Sequence, residues 1–287
     1  MADTDKVILI TGAGGGLGKA LTLQFLSKGW WVFATDLQEP EYTDSHTISL
    51  FESRPEIKNH FRPLKMDVTS DESVTAVFNL VKDDALKLDI IINNAGIDDY
   101  FLLSETDVSR FRRIFEVNVF GGYRVNQIFL PLLRTPEGRI IHISSESLNL
   151  TMPFMPYPLS KKLVEGYAKV LRQELGFRGI DVVIVRPGAI DTSLLKTVSG
   201  LTDSNDIKEN NDALKNAFHS FCSQASKEIG RIVTPEKVAE FTYKIACAFR
   251  PKAIYRINNM IQLRIVAILP FRLMEFLVRK RLIKKRS

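Results

Sequence analysis

Short, continuous apolar runs alternate with amphipathic stretches along most of this chain. Runs rich in β-branched residues are candidate strands at 6–11, 30–35, 63–66, 89–93, 139–144, 181–185 and 253–257. The longer runs do not alternate polar and apolar positions, which is typical of strands covered by helices on both faces. The segments between them are long enough for helices, the spacing of β-α-β units. The pattern predicts an α/β fold with a doubly wound, mostly parallel seven-stranded sheet.

Two helix starts carry capping signals. Thr69-Ser70-Asp71-Glu72 has the form of a capping box, and Thr234-Pro235 offers an N-cap followed by proline at the first helical position. The polar segment 199–230 interrupts the β-α rhythm and is predicted to be a lid-like insertion with one or two helices. No linker is evident, so we predict one domain over 1–257 and a helical tail over 258–287.

Charge changes this picture only near the C-terminal end. Of the net charge of +6, the residues from Arg264 onward carry +7, because they include eight basic residues and one acidic residue; the first 263 residues therefore sum to −1. A near-neutral body argues against a nucleic-acid-binding protein. The two cysteines and four histidines lack metal-ligand spacing, so no metal is expected. Few cysteines and no evident signal peptide predict a cytoplasmic location.

A glycine-rich turn follows the first predicted strand and leads directly into an amphipathic helix. Glycines there permit a tight turn and let backbone N–H groups approach a pyrophosphate at the helix N-terminus. An ordinary strand-to-helix turn is the alternative, and it is less favoured at this position in a β-α chain. As in a Rossmann-type domain, the residues expected to contact a dinucleotide are Gly12, Gly15, Gly16, Leu17 and Gly18.

Asp36 closes the second predicted strand, 18 residues after Gly18. A carboxylate at this place can accept both ribose hydroxyls of an adenosine and repels a 2′-phosphate. Neither Leu37 nor Gln38 supplies the positive charge that such a phosphate needs. The alternative is an aspartate that only terminates the strand. The sequence therefore favours NAD over NADP.

Six further motifs follow in order: Asp67-Val68, Asn93-Asn94-Ala95-Gly96, Asn118, Ser144-Ser145, Tyr157-x-x-Ser160-Lys161 and Pro187-Gly188-Ala189-Ile190-Asp191-Thr192. Together with the glycine turn, this ordered set resembles the short-chain dehydrogenase/reductase family from about Lys6 to Tyr255. The resemblance implies a Rossmann-type domain, a nicotinamide cofactor and a homodimer or homotetramer. It also implies cofactor contacts from Asp67, Val68, Asn94, Ala95, Gly96, Tyr157, Lys161, Pro187, Gly188, Ile190 and Thr192.

Tyr157 and Lys161 are four residues apart, so on a helix they share one face. A phenol is a poor base at neutral pH unless a nearby positive charge stabilises the phenolate, and Lys161 can supply that charge. The resemblance makes Tyr157 the general acid/base and Asn118 the holder of a water that links Lys161 to solvent. Taken alone, the pair also fits a structural tyrosine beside a solvated lysine.

Two serines compete to orient the substrate oxygen. Alignment of the Ile143-Ser144-Ser145 triplet with the family selects Ser145. Counting back thirteen residues from Tyr157, the commoner family spacing, selects Ser144. We favour Ser145 and expect the other serine to cap the strand end.

The sequence thus predicts an NAD-dependent oxidoreductase that interconverts an alcohol and its ketone or aldehyde. The segment 148–155 is a candidate apolar pocket wall, and resemblance to the hydroxysteroid and retinol dehydrogenase branch implies a lipophilic alcohol. Two alternatives stay open. One is a dehydrogenase of small polar alcohols or polyols, and the other is a catalytically idle dinucleotide-binding scaffold on the same fold.

The tail is too short in apolar residues to span a bilayer, since only 265–271 separate Arg264 from Arg272, against about 20 for a spanning helix. A second helix is predicted after Pro270. Its charged face holds Arg272, Glu275 and Arg279, and its apolar face holds Phe271, Leu273, Met274, Leu277 and Val278. The helix either packs over the substrate pocket or lies in a membrane interface, with its basic cluster on anionic lipid.

Overall fold

The computed structural model describes residues 6–85, 87–192, 212–225, 232–266 and 268–282. Its strands are β1 (Val7–Thr11), β2 (Trp31–Asp36), β3 (Phe61–Lys65), β4 (Ile90–Asn93), β5 (Arg139–Ile143), β6 (Asp181–Pro187) and β7 (Ile254–Ile257). Its α-helices are α1 (Gly16–Ser27), α2 (Ser45–Ser53), α3 (Pro55–His60), α4 (Asp71–Asp84), α5 (Val108–Phe115), α6 (Gly122–Phe129), α7 (Tyr157–Gly176), α8 (Asp212–Ala225), α9 (Pro235–Ala246), α10 (Ile261–Val266) and α11 (Phe271–Leu282). A π-helical turn, Glu116–Gly121, joins α5 to α6.

The strands form one parallel sheet in the order β3-β2-β1-β4-β5-β6-β7. β1 pairs with β2 on one side and with β4 on the other. The first half of the chain therefore extends the sheet from β1 toward β3, and the second half extends it in the opposite direction, from β4 toward β7. In such a sheet a crevice opens at the carboxyl ends of the two central strands. The seven predicted strands are present with ends shifted by two residues or fewer, and the predicted α/β fold is confirmed.

Both faces of the sheet are covered by helices. All five residues of β1 are buried. Ile8 and Ile10 belong to the apolar cluster that includes α1 and α9, whereas Val7 and Leu9 belong to the cluster on the opposite face, with α4, α6 and α7. Because neither face meets water, the strand reads as an unbroken apolar run.

Helix α4 begins one residue later than the capping-box reading predicts. Ser70, not Thr69, is the N-cap, and its Oγ accepts a hydrogen bond from the Ser73 amide at 3.1 Å. Thr69 instead donates its backbone N–H and its hydroxyl to Asp67 Oδ1, at 2.8 and 2.7 Å. This local side-chain interaction holds Thr69 outside the helix. Helix α9 begins where predicted, with Thr234 as N-cap and Pro235 first.

A third apolar cluster joins regions that are distant in the sequence. It contains Tyr100 and Leu102 after β4, Phe154 after β5, Phe218 and Phe221 from α8, and Leu282 from α11. Helix α8 lies inside the predicted insertion, of which 199–211 and 226–230 fall outside the described residues. The predicted tail contributes α10 and α11. Within the described ranges, no helix is both long and apolar enough to cross a bilayer.

The turn between β1 and α1 leaves no room for a side chain at Gly18. A Cβ there would lie 1.9 Å from the Gly12 carbonyl oxygen and 2.8 Å from Ala13 Cα. Gly12 itself has φ of +68°, a conformation that favours glycine. A Cβ at Gly15, in the same turn, meets nothing closer than the Gly12 oxygen at 3.7 Å. Close packing of α1 on its own turn therefore depends on Gly18 and not on Gly15.

We expect Gly18→Ala to destabilise the fold and Gly15→Ala to leave its stability close to that of the wild type. Overpacking of a tight site costs about 1–3 kcal/mol, and each kcal/mol lowers the Tm of a domain of this size class by about 2–4 °C. Thermal unfolding without added cofactor measures both variants. Equal Tm values for Gly18→Ala and the wild type would contradict the close approach.

Candidate active site

A cavity of about 1000 Å³ lies at the carboxyl ends of the strands. It is bordered by the glycine turn, by the ends of β2, β4, β5 and β6, by the start of α7, and by α10 and α11. The predicted site residues that line it are Gly12, Gly15, Gly16, Leu17, Gly18, Asp36, Asp67, Val68, Asn94, Ala95, Gly96, Ser145, Tyr157, Lys161, Pro187, Gly188, Ile190 and Thr192. Asn118 lies behind the wall and does not line it.

Asp36 lies against the glycine turn at the end of β2. Its Oδ2 accepts a hydrogen bond from the Gly14 amide at 2.8 Å, and its Oδ1 accepts one from the Leu37 amide at 2.6 Å. The carboxylate and the amides of the turn therefore border one end of the cavity together. This arrangement fits the adenosine half of a dinucleotide, because a carboxylate binds ribose hydroxyls and free N–H groups bind phosphate oxygens.

Thr11 and Asn94 hold the two central strands in register where they diverge. Thr11 Oγ1 accepts hydrogen bonds from the amides of Asn94 at 3.1 Å and Ala95 at 3.0 Å. The Asn94 side chain donates back to the Thr11 and Gly12 carbonyls, both at 3.0 Å. These mutual bonds fix the wall of the crevice between β1 and β4.

The segment after β6 crosses back toward the glycine turn. Gly188 donates its N–H to the Ile257 carbonyl at 2.9 Å, and a Cβ at Gly188 would lie 2.1 Å from the Asn258 oxygen. Further along, Ile190 forms an isolated parallel β-bridge with Val233. Thr192 lies beside the glycine turn, with its Cγ2 3.1 Å from the position of a Cβ at Gly16. The predicted cofactor contacts of both segments thus face one space.

Tyr157 is the first residue of α7, and Lys161 follows one turn later on the same face. The Lys161 ammonium lies 5.4 Å from the centroid of the Tyr157 ring. Lys161 is only 4% exposed, and its Nζ donates to the Ile143 carbonyl at 2.9 Å. The predicted helical pairing of phenol and ammonium is therefore present.

Burial governs the protonation of this pair. Desolvation lowers the pKa of Lys161 to about 8, while Asp98 and Glu165 act in the opposite direction. Desolvation also raises the pKa of Tyr157 above its ordinary value, Asp98 raises it further, and a hydrogen bond with Ser145 lowers it. The phenol is therefore protonated at neutral pH and has a proton to donate.

The two serines at the end of β5 have different surroundings. Ser144 is 2% exposed and donates its hydroxyl to Glu165 Oε1 at 2.7 Å. Glu165 also forms a buried ion pair with Arg186, at 2.9 and 2.5 Å. Ser145 instead borders the cavity together with Tyr157 and lowers the pKa of its phenol, and its Oγ lies 2.9 Å from Ser147 Oγ. The hydroxyl beside Tyr157 in the cavity thus belongs to Ser145.

Asn118 lies in the π-helical turn, a feature frequent at functional sites. Its Oδ1 accepts from the Ile97 amide at 2.8 Å, and its Nδ2 donates to the Ile97 carbonyl and to Ser160 Oγ, both at 2.9 Å. A Cβ at Gly96 would lie 3.3 Å from Asn118 Oδ1 and 3.6 Å from Lys161 Nζ. Both polar atoms therefore border the same small space.

His142, in β5, is 2% exposed and lies 3.3 Å from the Asn126 amide nitrogen through its Nε2. Burial lowers its pKa to about 3, so the ring is neutral. Among the described residues, no group of three or more histidine, cysteine or acidic side chains could hold a metal ion.

Sequence reasoning missed several residues of the cavity wall, among them the polar residues Asp98 and Tyr100. The Tyr100 hydroxyl donates to Asp98 Oδ2 at 2.8 Å. A signal was available, because Asp98 follows the Asn93-Asn94-Ala95-Gly96 motif by two residues, where strand-end loops border the crevice.

Apolar side chains surround the far end of the cavity. Leu150, Met152 and Met155 come from the predicted wall at 148–155, and Met274, Leu277 and Val278 come from α11. This part of the predicted apolar face of α11 thus packs over the cavity, as the first of the two alternatives for the tail predicts, whereas Phe271 and Leu273 of that face are exposed.

Comparison with known proteins places the chain in a family. The family model described as short chain dehydrogenase matches residues 6–200. An "NADPH-dependent 3-dehydrocapnine reductase" from Ornithobacterium rhinotracheale is 31% identical over 87% of both chains. Similar folds occur in a short-chain dehydrogenase from Streptomyces avermitilis (TM-score 0.72, 23% identity, 97% of this chain and 95% of that one) and in one from Burkholderia phymatum in complex with NAD (TM-score 0.70, 19% identity, 100% of both). The chain therefore belongs to the short-chain dehydrogenase family and is an NAD(P)-dependent alcohol and carbonyl oxidoreductase.

Proposed function

We propose that this protein uses NAD to interconvert a lipophilic alcohol and its ketone or aldehyde, with Tyr157 as general acid/base. One observation carries the proposal. A single cavity is bordered at one end by the glycine turn and Asp36, next to Ser145, Tyr157 and Lys161, and at the other end by apolar side chains. A nicotinamide dinucleotide bound along the turn supplies or accepts the hydride.

In this mechanism, Ser145 and Tyr157 bind the same substrate oxygen. Both side chains border the same cavity, so an oxygen placed between them can accept from both hydroxyls. In reduction, Tyr157 donates its proton to the carbonyl oxygen as the alcohol forms. In oxidation the Tyr157 phenolate, stabilised by the buried Lys161 ammonium, removes the proton of the alcohol and becomes the phenol.

We propose that the proton then leaves through Lys161 and a water beside Gly96. Asn118 Oδ1 and Lys161 Nζ border that space, at 3.3 and 3.6 Å from the position of a Cβ at residue 96. Both N–H groups of the Asn118 amide are engaged, by the Ile97 carbonyl and by Ser160. Asn118 therefore takes part as an acceptor for the water.

Tyr157→Phe is expected to lower turnover by about two orders of magnitude or more, because a positioned acid/base contributes about 10²–10⁴-fold. Binding of NADH should persist, since the phenolic hydroxyl does not hold the adenosine or pyrophosphate. Turnover of a lipophilic alcohol panel and NADH fluorescence titration measure the two effects.

Tyr167→Phe is the matched control, because Tyr167 lies on the same helix and its hydroxyl meets Asn126 instead of the cavity. Its turnover should stay within a few-fold of the wild type. Near-normal turnover of Tyr157→Phe would overturn the proposed mechanism, whereas a wild type that binds NADH but turns over no alcohol of the panel would favour a cofactor-binding scaffold.

We propose NAD in preference to NADP, although the reductase from Ornithobacterium rhinotracheale is NADPH-dependent. Asp36 is held against the turn by the Gly14 and Leu37 amides, so its charge cannot turn away from a 2′-phosphate easily. A Cβ at Gly14 would lie 3.0 Å from the Asp36 carboxylate, which keeps bulky side chains out of that position.

NAD(H) should bind at least tenfold more tightly than NADP(H), about 1.4 kcal/mol. The double variant Asp36→Ala, Leu37→Arg should reverse this preference, since it removes the repulsion and adds a guanidinium. Leu37→Arg alone should reverse it less, because Asp36 stays. Calorimetric Kd values for both cofactors test this, and equal or tighter NADP binding by the wild type would refute the assignment.

We further propose that the tail, 258–287, contacts lipid through its outer face. Ile268 and Phe271 are 80% and 66% exposed, and Phe276 is exposed as well. The exposed basic residues Arg272 and Arg279 lie on the same helix. Anionic lipid attracts such residues by about 1 kcal/mol each, while apolar side chains enter the headgroup region.

The protein should sediment with anionic liposomes in a salt-sensitive manner and bind neutral liposomes weakly. The double variant Phe271→Ser, Phe276→Ser should reduce the sedimented fraction several-fold, because it removes two exposed rings that would enter the headgroup region. Both rings lie outside the cavity, so the substrate site is left intact. Phe249→Ser, at an aromatic residue that is 90% exposed elsewhere, is the control and should change nothing. If all three proteins sediment equally, the lipid contact is wrong and α11 only covers the cavity.

We infer a homo-oligomer as well. Phe120 and Tyr123 near the π-helical turn, and Leu163 and Val170 on α7, are large apolar side chains exposed to solvent. The π-helical turn packs against α7, so these side chains belong to neighbouring elements. A second copy of the chain is the partner that the family resemblance implies for such a face.

A further inference from the structure

The wall of the cavity includes polar and charged groups that a purely apolar substrate would not require, and Asp98 is one of them. Asp98 borders the cavity together with Leu150, Met152, Met155 and Phe221. Removing a carboxylate from water without a partner is costly. A substrate that covers the partly buried Asp98 therefore binds best when it brings a partner for the carboxylate.

The Asp98 carboxylate is held in one orientation. Its Oδ1 accepts from the Asp99 amide, and its Oδ2 accepts from the Tyr100 hydroxyl, both at 2.8 Å. Tyr100 is 5% exposed, and its ring packs 5.9 Å from that of Phe221. Each carboxylate oxygen accepts more than one hydrogen bond, so Asp98 keeps acceptor capacity for a ligand.

Asp98 differs from its neighbour in the sequence. Asp99 forms a two-pronged ion pair with Arg110, at 2.6 and 2.7 Å. No described lysine, arginine or histidine lies within ion-pair distance of Asp98. Desolvation raises the pKa of Asp98 to about 6, and the positive charge of Lys161 opposes this. Asp98 is therefore mostly ionised at neutral pH.

Asp98 also lies near the reacting groups. It acts electrostatically on both Tyr157 and Lys161 and raises the pKa of each. Asp98, Tyr157 and Lys161 also border the same cavity, so a ligand that meets Asp98 lies in the space that the reacting groups share. A positive group that meets Asp98 would therefore belong to the part of the substrate near the carbon that is oxidised or reduced.

We propose that Asp98 is a specificity-determining residue that binds a protonated amine close to the reacting carbon of a lipophilic alcohol or ketone. This inference rests on the proposed function and names its substrate class. The amine would donate charge-assisted hydrogen bonds to the carboxylate, and the hydrocarbon part would lie against the methionines of the wall and α11. The same carboxylate would repel a substrate with an acidic group at that position.

The rival explanation is that Asp98 serves the protein alone, as an anchor for Tyr100 or as a counter-charge to Lys161. The two explanations differ in what they predict for paired substrates. A counter-charge affects every alcohol alike, because every alcohol uses Tyr157 and Lys161. An amine-binding residue changes the ratio between a charged and a neutral substrate.

The test compares 2-aminododecan-3-ol with its N-acetyl derivative, at neutral pH where the free amine is protonated. Two measurements are made for each compound: kcat/KM with NAD, and Kd for the NADH-bound enzyme by calorimetry. The wild type should prefer the amine at least tenfold in both. Asp98→Asn should bring each ratio close to one, because the isosteric amide has no charge.

Asp99→Asn is the matched control, since it removes the neighbouring carboxylate that is already paired with Arg110; it should keep the preference for the amine. Melting curves check that both variants fold. A preference of less than twofold in the wild type, or one that survives Asp98→Asn, would overturn the inference. Tighter binding of the amine without turnover would support the amine-binding role of Asp98 and contradict the proposed function. Turnover of both compounds without a preference would support the proposed function and contradict the role of Asp98.

Discussion

A buried ammonium group is the constraint on which the rest of the site depends. Lys161 is 4% exposed, and its Nζ donates a hydrogen bond to the Ile143 carbonyl at 2.9 Å. A charge in such surroundings tends to lose its proton, and desolvation accordingly lowers the pKa of Lys161 to about 8. Asp98 and Glu165 act against this loss. Because the phenolate of Tyr157 needs a positive neighbour, these two carboxylates support the proposed acid/base chemistry by keeping Lys161 charged, although Asp98 also raises the pKa of Tyr157 itself.

The carboxylates of Glu165 and Asp98 differ in the partners that the protein provides for their oxygen atoms. Glu165 is 3% exposed and is bound to both Arg186 and Ser144, so its acceptors serve the interior. This arrangement also explains why Ser144, despite its favourable spacing, does not share the position of Ser145. Asp98 lies on the cavity side and receives two hydrogen bonds from neutral donors. Two carboxylates therefore help to keep Lys161 charged. Glu165 does so from a closed network in the interior, and Asp98 does so from a position that a substrate can reach.

The sequence predicts most of the sheet and the order of the site residues, because both depend on local signals. Unbroken β-branched runs identify strands that helices cover on both faces, and the glycines of the turn are needed where α1 approaches Gly12. The start of α4 was predicted one residue early, since the competing bond from Thr69 to Asp67 depends on how the loop folds. Asp98 was missed for a similar reason. Its place after the Asn93-Asn94-Ala95-Gly96 motif indicates only that it borders the crevice. Its orientation depends on Tyr100, which packs against α8, and no local pattern near Asp98 indicates that contact.

The tail and Asp98 impose a joint requirement on any substrate. Met274 and Val278 of α11 border the cavity, so a long hydrocarbon chain can lie under this helix, while Asp98 favours positive charge near Tyr157. Such a molecule is a cationic amphiphile, and anionic lipid concentrates cationic amphiphiles for the same reason that it attracts Arg272 and Arg279. The outer face of α11 therefore favours binding to anionic lipid, and the carboxylate inside the cavity favours a substrate that collects in anionic lipid. A protein held on anionic lipid by this helix would have the cavity roof next to the phase in which its proposed substrate collects.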